Sequence, residues 1–104
     1  MNDVRFDKEG YLLDLADWNR TIAVELASRE GVTLEPAHWA VIEILREFYE
    51  ATRVSPAMRP LVKLVGQRLG PEKGTSIYLL SLFPGSPAKL AAKIAGLPRP
   101  TNCL

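Results

Sequence analysis

Cys103 and His38 are the only cysteine and the only histidine in this sequence of 104 residues, and either could act as a nucleophile or proton carrier near neutral pH. Cys103 is the next-to-last residue, preceded by Leu97-Pro98-Arg99-Pro100-Thr101-Asn102. A cysteine kept for packing belongs in an apolar element, because a free thiol behaves as a small hydrophobe. This one follows two prolines, a threonine and an asparagine, where neither a helix nor a strand would bury it. Pro98 and Pro100 fix φ and favour extended backbone at their predecessors. Gly96 is a natural helix stop and hinge. Residues 96–104 therefore read as a semi-stiff arm ending in a thiol. Seven residues at roughly 3.1 Å each give it a reach of about 20 Å. Such an arm suits delivery of a reactive sulfur into another protein's site. The plainer alternative is that a terminal cysteine is incidental.

The remaining chemistry is sparse. One histidine and one cysteine with no third ligand do not make a metal site. A Cys–His pair would need the fold to bring the two together, and nothing in the sequence does so; His38 reads as structural. Glu43, Glu47 and Glu50 are spaced three and four residues apart, which on an amphipathic helix describes a solvated face rather than paired acid–base carboxylates. There is no glycine-rich phosphate loop and no CxxC pair.

Composition bounds the class. The chain is 47% apolar and 24% charged, ordinary for one globular domain of this size. No apolar run is long enough to span a bilayer, and the N-terminus lacks the features of a secretory signal. A lone cysteine makes no internal disulfide, so a reducing cytoplasmic setting is expected. Charge is unevenly placed. Residues 1–50 hold eleven acids against five bases, a net −6, whereas residues 51–104 hold Glu72 against eight bases, a net +7. This suggests either an anionic or oriented partner for the second half, or attraction between the halves within the fold.

The elements that must position the arm follow in order. Val4 and Phe6, then Tyr11 and Leu13, alternate about the polar loop Asp7-Lys8-Glu9-Gly10, which predicts a short β-hairpin. Asp17 is the expected N-cap of a helix over 18–30 that Gly31 ends. Pro36 opens a second helix over 36–52, whose broad apolar face includes Trp39, Ile42, Leu45 and Tyr49. Ser55-Pro56 is an N-cap signature for a third helix to Leu69, although Pro60 could shift its start to 58–60. Thr75 or Ser76 caps a fourth helix through Leu82. Ser86-Pro87 opens a fifth through Ala95. Trp18, Trp39, Phe48, Tyr49, Tyr78 and Phe83 are expected in or near the core. The expected fold is α+β and mostly α: a short N-terminal β-hairpin packed on a bundle of about five helices. Residues 1–95 form the globular domain and residues 96–104 a flexible C-terminal arm. Helices three and four resemble a helix-turn-helix, with Arg53, Arg59, Lys63, Arg68 and Lys73 in the region, so a regulatory DNA-binding module is an alternative.

Residues 93–104, Lys-Ile-Ala-Gly-Leu-Pro-Arg-Pro-Thr-Asn-Cys-Leu, resemble the C-terminal signature of the DsrC/TusE family of sulfur-relay proteins. Further collinear matches are Glu30-Gly31, residues 34–39 (Leu-Glu-Pro-Ala-His-Trp), residues 55–63 (Ser-Pro-Ala-Met-Arg-Pro-Leu-Val-Lys) and residues 78–88. At Pro60 the family pattern has an aliphatic residue. The resemblance implies that Cys103 carries sulfur as a persulfide by transpersulfidation, with no resident cofactor. It implies a sulfurtransferase-type carrier rather than a stand-alone turnover enzyme. The implied donor is a TusBCD/DsrEFH-like complex; the implied acceptor is a tRNA thiouridylase with its tRNA, or a sulfur-metabolism enzyme. The DsrC branch of dissimilatory sulfur metabolism has a second cysteine eleven residues upstream of the penultimate one. Ala92 stands there in this chain, which therefore resembles the single-cysteine, TusE-like branch. Gly96, Pro98 and Pro100 would set the arm's geometry. Arg59, Lys63, Lys93 and Arg99 are candidates for docking or for guiding an anionic persulfide. The terminal carboxylate one residue from Cys103 should disfavour its thiolate, so activation is expected in a partner's pocket.

Overall fold

Helix ends in this chain are set by identifiable side chains, and they fall close to where the sequence places them. The computed structural model describes residues 3–100. Five helices follow a 3-10 turn at Leu15–Asp17: α1 (Arg20–Arg29), α2 (Pro36–Thr52), α3 (Met58–Leu69), α4 (Ser76–Leu82) and α5 (Pro87–Ile94). Pro36 and Pro87 each stand at the start of their helix, where a missing N–H removes nothing the helix needs. Thr75 caps α4 by accepting from the Tyr78 N–H at 3.1 Å.

Two expected caps differ. Asn19, not Asp17, starts α1, its Oδ1 accepting from the Ile22 N–H at 2.8 Å. Asp14 caps the preceding 3-10 turn through the Ala16 N–H, which uses residues 15–17 before the helix begins. Helix α3 starts at Met58, within the 58–60 start expected from Pro60, so Ser55 is not its cap. Pro60 then falls in the first turn, where its lost donor is harmless.

The expected β-hairpin is not formed. Among the described residues the N-terminal segment shows a single antiparallel bridge, Phe6 to Leu12, and no strand. The chain does reverse: Asp7 N–H donates to Tyr11 O at 2.7 Å and Leu13 N–H to Arg5 O at 3.0 Å. The Asp7 carboxylate organises the loop, accepting from the Glu9 and Tyr11 N–H groups at 2.9 Å each. Pairing stops there because Asp14 turns the chain into the 3-10 turn directly after Leu13.

Helix α5 is the hub, packing against α1, α2, α3 and α4. Its buried residues are small: Ala88, Ala91, Ala92 and Ala95 are at most 6% exposed, with Ile94 fully buried beside them. Short side chains let four neighbours approach one short helix closely. Leu26, Ile42, Leu45, Leu61, Val65, Leu79 and Phe83 complete the core around it.

Both α1 and α5 close with the same hydrogen-bonded loop. At α1, Val32 N–H donates to Ala27 O and Gly31 N–H to Ser28 O. At α5, Leu97 N–H donates to Ala92 O at 2.9 Å and Gly96 N–H to Lys93 O at 3.1 Å. Each needs a left-handed residue, and Gly31 (φ +75°) and Gly96 (φ +73°) supply it. Their surroundings differ. A Cβ on Gly31 would meet nothing, whereas one on Gly96 would be driven into the Trp18 side chain.

That contrast predicts two stabilities. Gly31→Ala should cost about 1 kcal/mol for the left-handed backbone alone. Gly96→Ala should cost about 2–4 kcal/mol, because strain and overpacking add. Denaturant unfolding of the two variants checks this; equal costs would mean that Trp18 yields freely to the new methyl group.

Candidate functional site: the base of the C-terminal arm

Cys103 lies outside the described residues, so the site visible is the platform from which its arm departs. The last turn of α5 leaves carbonyls that a helix cannot satisfy itself. Ala92 and Lys93 are served by Leu97 and Gly96 as above. Trp18 Nε1–H donates to Ile94 O at 2.9 Å, and the Arg46 guanidinium donates to Ala95 O at 2.6 Å. Arg46 also stacks on the Trp18 ring at 3.8 Å. Partial burial lowers the Arg46 pKa from its usual value while the Glu50 charge opposes the shift; an arginine stays charged through such changes. Thus α2 and the segment before α1 together fix the point where the arm begins.

The first residues of the expected arm then lie against the body. Leu97 is 2% exposed and Pro100 is fully buried, while Pro98 and Arg99 face solvent. Ser55 Oγ–H donates to Pro98 O at 2.6 Å. Arg99 pairs with Glu9 and lies 5.7 Å from the centre of the Tyr11 ring. Lys93 approaches the same ring at 5.2 Å and pairs with Glu30 at 3.1 Å. Tyr11 is held by its hydroxyl, which donates to Lys89 O at 3.2 Å. Residues 97–99 are thus held at the body by Leu97, by the Ser55 bond and by Glu9, and residues 101–104 of the expected arm lie outside the described residues. Leu97 is apolar and joins the core rather than extending into water.

Two clefts flank this segment. One, of about 360 Å³, is lined by Glu9, Tyr11, Lys89, Lys93 and Arg99 among others. The other, about 140 Å³, lies against Tyr49, Arg53, Ser55, Pro98 and Arg99. Of the residues expected from the sequence, Gly96, Pro98, Pro100, Lys93 and Arg99 gather here. Arg59 and Lys63 do not; they stand exposed on α3 and line neither cleft. Ser55, Glu9, Tyr11, Trp18 and Arg46 complete the site unannounced. The Ser-Pro pair at 55–56 was a signal, but it reads equally well as a helix cap.

His38 is occupied in holding the fold. Its Nδ1 accepts from the Glu35 N–H at 3.0 Å and its Nε2 bonds Leu82 O at 2.9 Å, a pattern that fixes the Nε2–H tautomer. Glu43, Glu47 and Glu50 are exposed, and Glu47 pairs with Arg68 at 2.8 Å. On the helix-turn-helix-like pair, α4 presents Ile77 at 81% exposure and Leu80 at 42%, and it carries no basic residue. That surface suits apolar protein contact better than base edges or phosphates.

Relatedness to known proteins agrees with the site. Residues 1–104 match the family described as DsrC like protein. The chain is 53% identical over 102 residues to the sulfurtransferase TusE of Sodalis glossinidius, covering 98% of this chain and 94% of that protein. It superposes on the NMR structure of Allochromatium vinosum DsrC with a TM-score of 0.89 and 48% identity, covering 97% of this chain and 90% of the other. The crystal structure of the oxidized gamma-subunit of the dissimilatory sulfite reductase (DsrC) from Archaeoglobus fulgidus gives 0.85 and 36%, over 97% and 92% of the two chains. With its sequence matched end to end and its helices superposed on these structures, the chain belongs to the DsrC/TusE family.

Proposed function

We propose that this chain is a sulfur carrier that takes persulfide sulfur on Cys103 and relays it to an acceptor, in tRNA wobble-uridine 2-thiolation. The observation that carries the reading is a lone thiol, three residues beyond an anchored proline, in a chain 53% identical to a sulfurtransferase. The Cys103 thiolate attacks the outer sulfur of a donor cysteine persulfide. The donor's S–S bond breaks, its cysteine leaves as a thiolate, and Cys103 holds the terminal sulfur as its own persulfide. No external oxidant or reductant is consumed, because one S–S bond replaces another. An acceptor thiolate repeats the attack and regenerates the Cys103 thiolate.

A single thiol suits this two-step exchange and no intramolecular one. The sequence has one cysteine and Ala92, fully buried within α5, carries no sulfur, so an internal disulfide has no second sulfur to draw on. The donor is a TusBCD/DsrEFH-like complex and the acceptor a tRNA thiouridylase, in the reducing setting that a free thiol needs. Lys93 and Arg99 beside the arm would attract an anionic persulfide or an acidic partner, while Glu30 and Glu9 temper their charge.

Intact-protein mass after incubation with a cysteine desulfurase, cysteine and the donor complex should rise by one sulfur. The gain should vanish with reductant and be absent in Cys103→Ser. No gain with any donor would overturn the carrier reading. With thiouridylase and tRNA added, sulfur should appear in the tRNA, and Cys103→Ser should abolish it. Sulfur passing instead only to a sulfite-reducing enzyme would assign the chain to dissimilatory sulfur metabolism.

A further inference from the structure

The segment from Gly96 to Pro100 has few amides with which to hold itself. Pro98 and Pro100 have no N–H, and the Gly96 and Leu97 N–H groups are used on Lys93 O and Ala92 O. Beyond those two bonds, a side-chain donor, Ser55 Oγ, grips the backbone at the Pro98 carbonyl at 2.6 Å. Ser55 is only 7% exposed, and the turn before it is braced to aim it. Arg53 adopts the left-handed conformation (φ 60°) and its N–H donates to Tyr49 O at 2.6 Å. Thr52 Oγ1 donates to Phe48 O at 2.8 Å and accepts from the Val54 N–H at 3.2 Å. A left-handed arginine, a bonded threonine and the rigid Pro56 are a costly way to place one hydroxyl. The α3 helix does not use that hydroxyl, because it starts later, at Met58.

The tether to Cys103 gives the bond its consequence. Cys103 is three residues beyond Pro100, so its Cα lies at most about 11 Å from that of Pro100. Counted from the clamped Pro98 the tether to Cys103 is five residues, and counted from Leu97, the next held residue, it is six. Effective concentration of a tethered group falls roughly as the −3/2 power of tether length, so the added length alone costs only about 1.3-fold. The larger loss is that of a fixed departure direction, because small misplacements of a reacting group cost far more than tether length does.

Resting on the carrier reading, we propose that Ser55 is a positioning residue for sulfur transfer. Its hydroxyl clamps Pro98 and so sets the direction in which the arm that carries Cys103 leaves the body.

The test is single-turnover sulfur transfer from the persulfidated donor to wild type, Ser55→Ala and Ser55→Thr, with iodoacetamide alkylation of Cys103 measured in parallel. Ser55→Ala should lower the maximal transfer rate by about 3- to 10-fold at an unchanged half-saturating donor concentration. Its alkylation rate should match wild type, and Ser55→Thr should restore transfer. A structural role alone would lower the melting temperature without separating transfer from alkylation. Transfer by Ser55→Ala at the wild-type rate would overturn the inference, and faster transfer would overturn it by showing that the bond restrains the arm. Failure of the wild type to accept sulfur at all would sink the carrier reading, a distinct result.

Discussion

The end of α5 is the constraint on which the rest of this structure depends. Four carbonyls there need donors in a part-buried setting, and a bond left unmade where water cannot replace it costs about 1–3 kcal/mol. The chain meets them with two of its own following amides, an indole from before α1 and a guanidinium from α2. Those donors come from three separate stretches of sequence, so satisfying one helix end ties the N-terminal segment, the longest helix and the arm together. The alanine surface of α5 makes this feasible, because bulkier side chains would hold the neighbours too far away for their polar groups to reach its end.

Electrostatics repeats that arrangement at the surface. Of the ion pairs among the described residues, Arg99–Glu9, Lys93–Glu30 and Arg68–Glu47 each join the basic second half of the chain to the acidic first half. The lopsided charge distribution is thus partly answered within the fold. Exposed pairs of this kind contribute little stability each, so their main effect here is on geometry: two of the three lie at the arm's base. Arg59 and Lys63 pair with no carboxylate among the described residues and leave α3 with a positive outer face.

Helix boundaries were legible wherever a residue has one dominant use. Pro36, Pro87, Gly31 and Gly96 mark starts and stops that the structure keeps, and the apolar period of α2 marks its buried side. Ambiguity arose where a residue has two uses. Asp17 and Asn19 both suit an N-cap, and the choice fell to the one left free after the 3-10 turn. Ser55-Pro56 has the form of a cap, but its hydroxyl serves a carbonyl 43 residues later in the chain. Val4 to Leu13 alternates as a hairpin should, yet a single bridge suffices because Asp7 takes over the turn. Trp18 reads as a core aromatic, and only the tertiary fold reveals that its N–H matters as much as its ring. Local pattern specifies local geometry; long-range polar pairing, which built most of this site, leaves no periodic trace.

Ala92 carries a consequence for how such carriers can diversify. Its side chain is sealed inside the hub helix, and its carbonyl is one of those that hold the arm's root. A cysteine substituted there would enter as a buried thiol, one atom larger than the methyl group that the packed core now holds. In this scaffold, then, a second sulfur at that place must be accommodated by the packing of the hub helix as well as supplied by a codon.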